Sequence, residues 1–168
     1  MASPKIRRDA KGRGTLFGAS AYEYERIRPG YPDTAVRAVS DRALAAAAED
    51  GGEVPADPAG IRVLDVGSGT GKYGRALAER GFDVHAADPD SALLEINPLP
   101  STTARAEQLP FSDASFDLVV SAQAWHWFDA EAASAEFARV LKPGGVAAIV
   151  LNQLDVRVDW VLRLSRIM

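Results

Sequence analysis

The residues of this chain best suited to chemistry surround a glycine-rich turn, Leu64-Asp65-Val66-Gly67-Ser68-Gly69-Thr70-Gly71. Apolar residues lead into the turn, and a helix-forming stretch, 72–80, follows it. Gly67, Gly69 and Gly71 lack the Cβ atom that would keep a ligand away from the backbone. Open α/β sheets bind nucleotides at turns of this kind, between a parallel strand and the following helix. We therefore predict that a nucleotide-like cofactor lies against these glycines.

Two carboxylates frame the turn. Asp65 stands at the end of the first strand, where it can accept amide hydrogen bonds or face a cationic group of a ligand. Asp88 closes the second strand, in the position from which an acid binds a ribose diol. A dinucleotide site normally keeps the first strand end neutral, because pyrophosphate docks against it. Asp65 therefore favours a cofactor with a positive group, whereas Asp88 suits either class of cofactor.

Two common nucleotide motifs can be compared with the turn. Residues 69–74 satisfy G-x-G-x-x-G, which alone is a weak signal for a dinucleotide. The phosphate-binding P-loop pattern fails, because Val66 stands where its first glycine is needed. In addition, Tyr73 follows Lys72 where that pattern needs Ser or Thr. A nicotinamide-dependent oxidoreductase thus stays open as an alternative.

Composition narrows the chemistry further. The chain has 168 residues, no Cys and two His. The lack of Cys excludes disulfides, cysteine nucleophiles and cysteine-held iron–sulfur clusters, and we predict no metal site. No apolar run approaches the roughly 20 residues of a membrane span, and the N-terminus has no apolar signal-peptide segment. We expect a cytoplasmic protein without a membrane partner.

Charge is distributed unevenly. Residues 1–14 contain five basic residues and one acidic residue, whereas the whole chain has a formal net charge of −4. A basic tail can bind nucleic acid or simply keep the chain in solution. The acidic remainder argues against a nucleic-acid groove, which would be basic. We therefore predict a disordered tail and no nucleic-acid partner.

Alternating patterns predict an α/β domain with a doubly wound, mostly parallel sheet and helices on both faces. The predicted strands are 61–66, 82–87, 102–106, 116–121 and 146–151, and the predicted helices after the first strand are 72–80, 91–96 and 130–141. The predicted divisions are a tail (1–14), an N-terminal lid and helix (15–48), a linker (49–60) and a core (61–168).

The last predicted strand, Val146 to Leu151, contains no polar residue. Only a linker and a helical pattern with Trp160, Leu164 and Ile167 at helical spacing follow it. An apolar strand at a sheet edge invites aggregation. We therefore expect either an incomplete sheet or a second copy of the chain that pairs along this edge.

Several segments together resemble the S-adenosylmethionine-dependent methyltransferases with a Rossmann-like fold, in the type-11 small-molecule branch. The segments that match are 64–71, Asp88-Pro89, Ala106-Glu107 with Leu109-Pro110-Phe111, and 139–145. Residues 24–32 and 123–128 are similar to the subgroup of trans-aconitate methyltransferase-like proteins. Members of the family have two further strands, so the resemblance implies a methyltransferase domain over 15–168 that is truncated at its C-terminus.

The resemblance implies S-adenosylmethionine as the cofactor and methyl transfer to oxygen or carbon of a small-molecule acceptor, with a carboxylate as one candidate. The implied cofactor-binding residues are Tyr24, Arg28, Asp65, Gly67, Ser68, Gly69, Gly71, Asp88, Pro89, Ala106, Glu107 and Gln123. An aromatic segment after the central strand places Trp125, His126 and Trp127 on the expected substrate side. His126 is the candidate general base, although a carboxylate acceptor would need none. A cofactor-binding fragment with impaired catalysis is the alternative.

Overall fold

The computed structural model describes residues 25–26, 29–48, 57–153, 155, 157–158, 160 and 163. Several predictions fall outside these residues: the basic tail, Tyr24 and Arg28, linker residues 49–56, and Leu164 and Ile167 of the C-terminal helical pattern.

Five parallel strands form one sheet in the order β3-β2-β1-β4-β5. The strands are β1 (Arg62–Val66), β2 (Asp83–Asp88), β3 (Ser101–Thr103), β4 (Phe116–Ala122) and β5 (Leu141–Val150). The order reverses beside β1, where the chain crosses from one half of the sheet to the other. This arrangement confirms the predicted α/β, Rossmann-like fold class.

Helices connect β1 to β2, β2 to β3 and β4 to β5, whereas residues 104–115 join β3 to β4 without a helix. The helices are α1 (Asp33–Ala48), which precedes β1, α2 (Lys72–Ala78), α3 (Ser91–Leu94) and α4 (Ala130–Val140), with 3₁₀ turns at Pro58–Gly60 and Trp125–Trp127. Asp129 caps the N-terminus of α4, where its side chain accepts a hydrogen bond from the Ala132 amide at 3.3 Å. In the described part of the chain, every helix is too short or too polar to cross a membrane.

The core lies on both faces of the sheet. On one face, Val63 and Leu118 pack with Leu77 of α2. On the other face, Leu64 and Val119 pack with helix α4. Neighbouring residues of a strand point to opposite faces, so a strand covered on both faces is apolar along its whole length.

An ion pair joins the amino ends of two strands, at the opposite edge from the glycine turn. The Lys142 ammonium lies 2.8 and 2.9 Å from the two carboxylate oxygens of Asp117. The same carboxylate accepts a hydrogen bond from the Arg62 amide at 2.9 Å. Lys142, which lies in the matched segment 139–145, therefore has a structural contact with Asp117 here.

The start of β5 differs from the prediction, which continued the helix to Leu141 and began the strand at Val146. Helix α4 ends at Val140, and Leu141 is extended with φ −72° and ψ 139°. Leu141 pairs with Phe116, and the register then shifts before Val146. The intervening segment contains a proline, which lacks an amide donor, so an irregular strand start is expected.

Strand β5 lies at one edge of the described sheet. Ile149 and Leu151 are 48% and 47% exposed, and Trp160 is 67% exposed. These exposed side chains agree with the apolar pattern of the sequence. The second copy expected at this edge stays a prediction.

Candidate cofactor and substrate cavity

The carboxyl ends of β1, β2 and β4 surround a cavity of about 400 Å³, a size typical of small-molecule sites. The glycine turn forms one wall, Asp88 and Pro89 a second, and Gln123 and Trp127 a third. Ligands of open α/β sheets bind at this edge, where the strand order reverses. The fold thus brings most of the predicted cofactor segments to one place.

Gly67 and Gly69 of the turn differ in the space that a Cβ atom would have. Gly67 has φ +71°, and a Cβ atom there would lie 2.4 Å from the Cβ atom of Ala124. Gly69 has φ +52°, but its added Cβ would meet only Leu93, at 3.8 Å. Packing therefore requires a glycine at position 67. At position 69 the space beside the backbone is open, as a ligand-binding turn requires.

The Asp88 carboxylate holds the turn and still faces the cavity. One oxygen accepts a hydrogen bond from the Gly69 amide at 2.8 Å, and the other from the Asp90 amide at 2.8 Å. Burial raises the pKa of Asp88, and the two amide hydrogen bonds oppose that effect. Because a carboxylate has about four acceptor positions, Asp88 can still accept hydrogen bonds from ligand hydroxyls.

Asp65 is the most unusual group of the cavity wall. It is 1% exposed, and one oxygen accepts a hydrogen bond from the Gly74 amide at 3.0 Å. The other oxygen, Oδ1, has no hydrogen-bond partner among the described residues. Burial raises the pKa of Asp65 to about 7, the Gly74 hydrogen bond opposes the rise, and the charge of Asp88 adds to it. A buried acceptor without a partner points to a donor that a ligand supplies.

Asn97 supports the turn and was not predicted. Its amide nitrogen donates to the Gly69 carbonyl at 3.1 Å and to the Ser68 hydroxyl at 3.4 Å. Its amide oxygen accepts a hydrogen bond from the Leu99 amide at 3.1 Å. The only sequence signal is a polar residue in a short, otherwise apolar stretch. The two turn residues that it contacts, Gly69 and Ser68, are 28 and 29 positions away from it in sequence.

Gln123, at the end of β4, combines a strained backbone with a place on the cavity wall. Its φ is +60°, which is uncommon for a residue with a side chain. Its amide donates to the Val150 carbonyl at 2.8 Å, and its side chain donates to the Asn152 carbonyl at 3.2 Å. These bonds fix the ends of β4 and β5 together. Strain of this kind is concentrated at functional sites.

The three predicted substrate residues lie in different surroundings. Trp127 lines the cavity. Trp125 packs instead against Phe128 and Phe137, with ring centroids 5.9 and 5.7 Å apart. His126 is exposed and is absent from the cavity wall. The structure therefore brings Trp127 to the cavity, and the role of His126 as a base stays a prediction.

Ala106 and Glu107, which the resemblance implies as cofactor-binding residues, are absent from the wall of this cavity. Ala106 is 3% exposed within the core. The Glu107 carboxylate accepts a hydrogen bond from the Asp129 amide at 2.9 Å and lies 3.4 Å from the guanidinium group of Arg105. These contacts anchor the segment before α4. Glu107 therefore has a structural role in the described chain.

The geometry of the cavity agrees with comparisons to known proteins. Residues 64–149 match the model of a family described as a methyltransferase domain. The chain belongs to this methyltransferase family. It is 44% identical over 156 residues to an uncharacterized methyltransferase of Mycobacterium tuberculosis, covering 90% of this chain and 58% of that protein. The chain thus spans a little over half the length of this relative.

Two further methyltransferases are similar over shorter stretches. One is a malonyl-[acyl-carrier protein] O-methyltransferase of Dechloromonas aromatica, 36% identical over 130 residues, which cover 75% of this chain and 47% of that protein. The other is the solved structure of a proposed type II methyltransferase from Anaeromyxobacter dehalogenans. It is 34% identical with a TM-score of 0.61, covering 76% of this chain and 50% of that one. Fold and family therefore agree.

Proposed function

We propose that this methyltransferase domain binds S-adenosylmethionine in the cavity and transfers its methyl group to the carboxylate oxygen of a small-molecule acid. When bound, the cofactor supplies a methyl group on a positively charged sulfur atom. The observation that carries the proposal is the buried Asp65 carboxylate, which lines the cavity with one oxygen unpartnered beside an open glycine turn.

The residues of the wall fit this cofactor. Asp65 can accept hydrogen bonds from the ammonium group of an amino-acid moiety, which would give Oδ1 the donor that it lacks. The open backbone at Gly69 allows close approach, and Asp88 can accept hydrogen bonds from two ribose hydroxyls. Asp65 would thus face the ammonium group of the cofactor, and Asp88 would face its ribose diol.

A dinucleotide fits the same wall less well. Asp65 places a buried carboxylate beside the turn against which a pyrophosphate would dock, whereas Asp88 suits either class of cofactor. A buried negative charge beside a phosphate is unfavourable, because like charges repel strongly where water is excluded. The glycine pattern therefore agrees with a nicotinamide-dependent enzyme, whereas the buried Asp65 carboxylate argues against one.

The ionisable groups of the wall favour an acceptor that is already ionised. Among the described residues they are Tyr31, Asp65, Lys72, Tyr73, Asp88 and Asp90. Asp65 and Asp88 are assigned to the cofactor, and burial raises the pKa of Tyr73 to about 12. A carboxylate acceptor, unlike a phenol or a carbon acid, needs no base. The similarity to a malonyl-[acyl-carrier protein] O-methyltransferase also supports an acid.

In this account, the protein acts mainly by proximity and orientation. Asp65, Asp88 and the glycine turn hold the donor. Trp127 and Phe128 cover the substrate side with apolar surface. Exclusion of water by these aromatic side chains would leave the acceptor oxygen less solvated and close to the methyl group.

The test is an assay of S-adenosylhomocysteine formation with small carboxylic acids, phenols and carbon acids as acceptors. We expect turnover with carboxylic acids, and we expect H126A to retain it. Turnover restricted to phenols or carbon acids and lost in H126A would replace the carboxylate proposal by a base-assisted reaction. Cofactor binding without turnover of any acceptor would favour the alternative of a cofactor-binding domain without catalysis.

A further inference from the structure

A charged cluster joins the N-terminal part of the chain to the glycine turn. The Glu25 carboxylate accepts hydrogen bonds from the Thr70 hydroxyl and from the guanidinium group of Arg75. The ammonium group of Lys72 lies 3.5 Å from the same carboxylate. Three partners, all in or directly after the turn, therefore hold a single side chain that is 45 or more positions away in sequence.

The cluster lies beside the cavity and shares residues with its wall. Thr70 and Lys72 line the cavity, whereas Glu25 does not. Shortly after Glu25 in sequence, Pro29 and Tyr31 also line it. The Tyr31 ring packs edge-on against Tyr73, with centroids 4.8 Å apart. One wall of the cavity is therefore contributed by the N-terminal segment, and Glu25 is its charged contact with the turn.

The Glu25 contacts are partly shielded from water. The side chains of Glu25, Lys72 and Arg75 are 28%, 21% and 36% exposed, and Thr70 is 3% exposed. Burial alone would raise the pKa of Glu25, but the hydrogen bonds and positive charges of its partners hold that pKa below its usual value. The Glu25 carboxylate is thus ionised at neutral pH, which suits its two cationic partners and its one hydroxyl donor.

We propose that Glu25 is a positioning residue that retains the cofactor, because its carboxylate fixes the N-terminal wall of the cavity to the glycine turn. This inference rests on the proposed function and adds a residue that lies outside the cavity wall. Loss of the Glu25 contacts leaves the glycine turn intact, since Asp88 and Asn97 hold it independently. The expected effect is therefore faster escape of the cofactor, with folding preserved.

The test measures the dissociation rate of S-adenosylhomocysteine by stopped-flow fluorescence. Trp127 lines the cavity and provides the signal. We expect E25Q to raise the dissociation rate about tenfold, as loss of a charge-assisted hydrogen bond implies, with little change in the association rate. Glu79 is exposed at the C-cap of α2, the helix that carries Lys72 and Arg75, so E79Q is the matched control and is expected to dissociate like the wild type.

A second pair of variants addresses the same contact from the other side. T70V removes the hydroxyl that donates to Glu25 at nearly constant volume, whereas T70S keeps it. We expect T70V to dissociate faster and T70S to resemble the wild type. In the double variant E25Q/T70V, the two effects should be less than additive, because both changes remove one shared interaction.

Two results would count against these ideas in distinguishable ways. If wild-type protein binds S-adenosylhomocysteine and E25Q and T70V dissociate like E79Q, the positioning role of Glu25 is refuted while the proposed function stands. If E25Q does not fold, the T70V and T70S pair decides alone. If folded wild-type protein shows no saturable binding, the proposed function fails, and this inference fails with it.

Discussion

The charge of Asp65 should destabilise the protein when no ligand is bound. The pKa of Asp65 rises from an ordinary value of 3.8 to about 7 because the carboxyl is fully buried. Between these values the folded protein retains a proton that the unfolded chain has released. The free energy of unfolding therefore falls as pH rises from about 4 to about 7, by up to about 4 kcal/mol, and Asp65 adds no further change above that range.

Substitution D65N removes this pH-dependent cost. The Asn side chain is uncharged and can still accept the Gly74 hydrogen bond, but its amide nitrogen would occupy a place without an acceptor. Such an unsatisfied group costs about 1–3 kcal/mol. We therefore expect D65N to be more stable than the wild type by about 1–3 kcal/mol at pH 8 and less stable near pH 4.5.

Urea unfolding followed by circular dichroism at several pH values measures this difference. Comparison of D65N with the wild type isolates Asp65 from the other titrating groups, and D41N, on an exposed position of α1, is the control. The proposed cost of the Asp65 charge is refuted if D65N is less stable than the wild type at both pH 4.5 and pH 8, or if their difference in free energy of unfolding does not change with pH. The same variant should lose S-adenosylmethionine binding despite its greater stability.

Three further predictions concern the turn and its support. The free energy of unfolding of G67A should be lower than that of G69A by at least about 2 kcal/mol in urea unfolding. Both variants place a side chain at positive φ, but only the new Cβ of G67A would collide with Ala124. Equal free energies of unfolding would contradict this. D88N should weaken S-adenosylmethionine binding at least tenfold in a calorimetric titration. Asn has only one oxygen, so either the Gly69 amide or the Asp90 amide would lose its acceptor. Unchanged affinity would exclude Asp88 as a cofactor-binding residue. R139A should lower the urea midpoint, because Arg139 donates to two loop carbonyls and to Glu136, whereas R157A, in an exposed pair, should not.

Much of the fold was predictable because its signals are local. The alternation of apolar strands and helices follows from a sheet that is covered on both faces. The glycine turn was predictable because positive φ and close packing restrict positions such as Gly67 to one residue type. Asp88 was predictable from its place at the end of an apolar strand.

The missed features depend on contacts between distant parts of the chain. Asn97 and Glu25 meet the turn only after the chain has folded. Asn97 belongs to no recognisable motif, and Glu25 lies in the matched segment 24–32 but had no role predicted for it. The cofactor role of Ala106 and Glu107 came from resemblance and stays a prediction, and the sequence did not indicate that the Glu107 side chain anchors the backbone at Asp129. A sequence pattern indicates which residues are present in a segment, whereas the neighbouring segments determine which way each side chain points.

If Asp65 and Asp88 hold S-adenosylmethionine in the cavity, calorimetric titration of the 168-residue chain should show saturable binding of S-adenosylmethionine and of its demethylated product, S-adenosylhomocysteine. NAD should not bind, and D65N should lose binding of both sulfur compounds. Binding of NAD alone, or failure of the folded protein to bind either sulfur compound, would exclude this cofactor assignment.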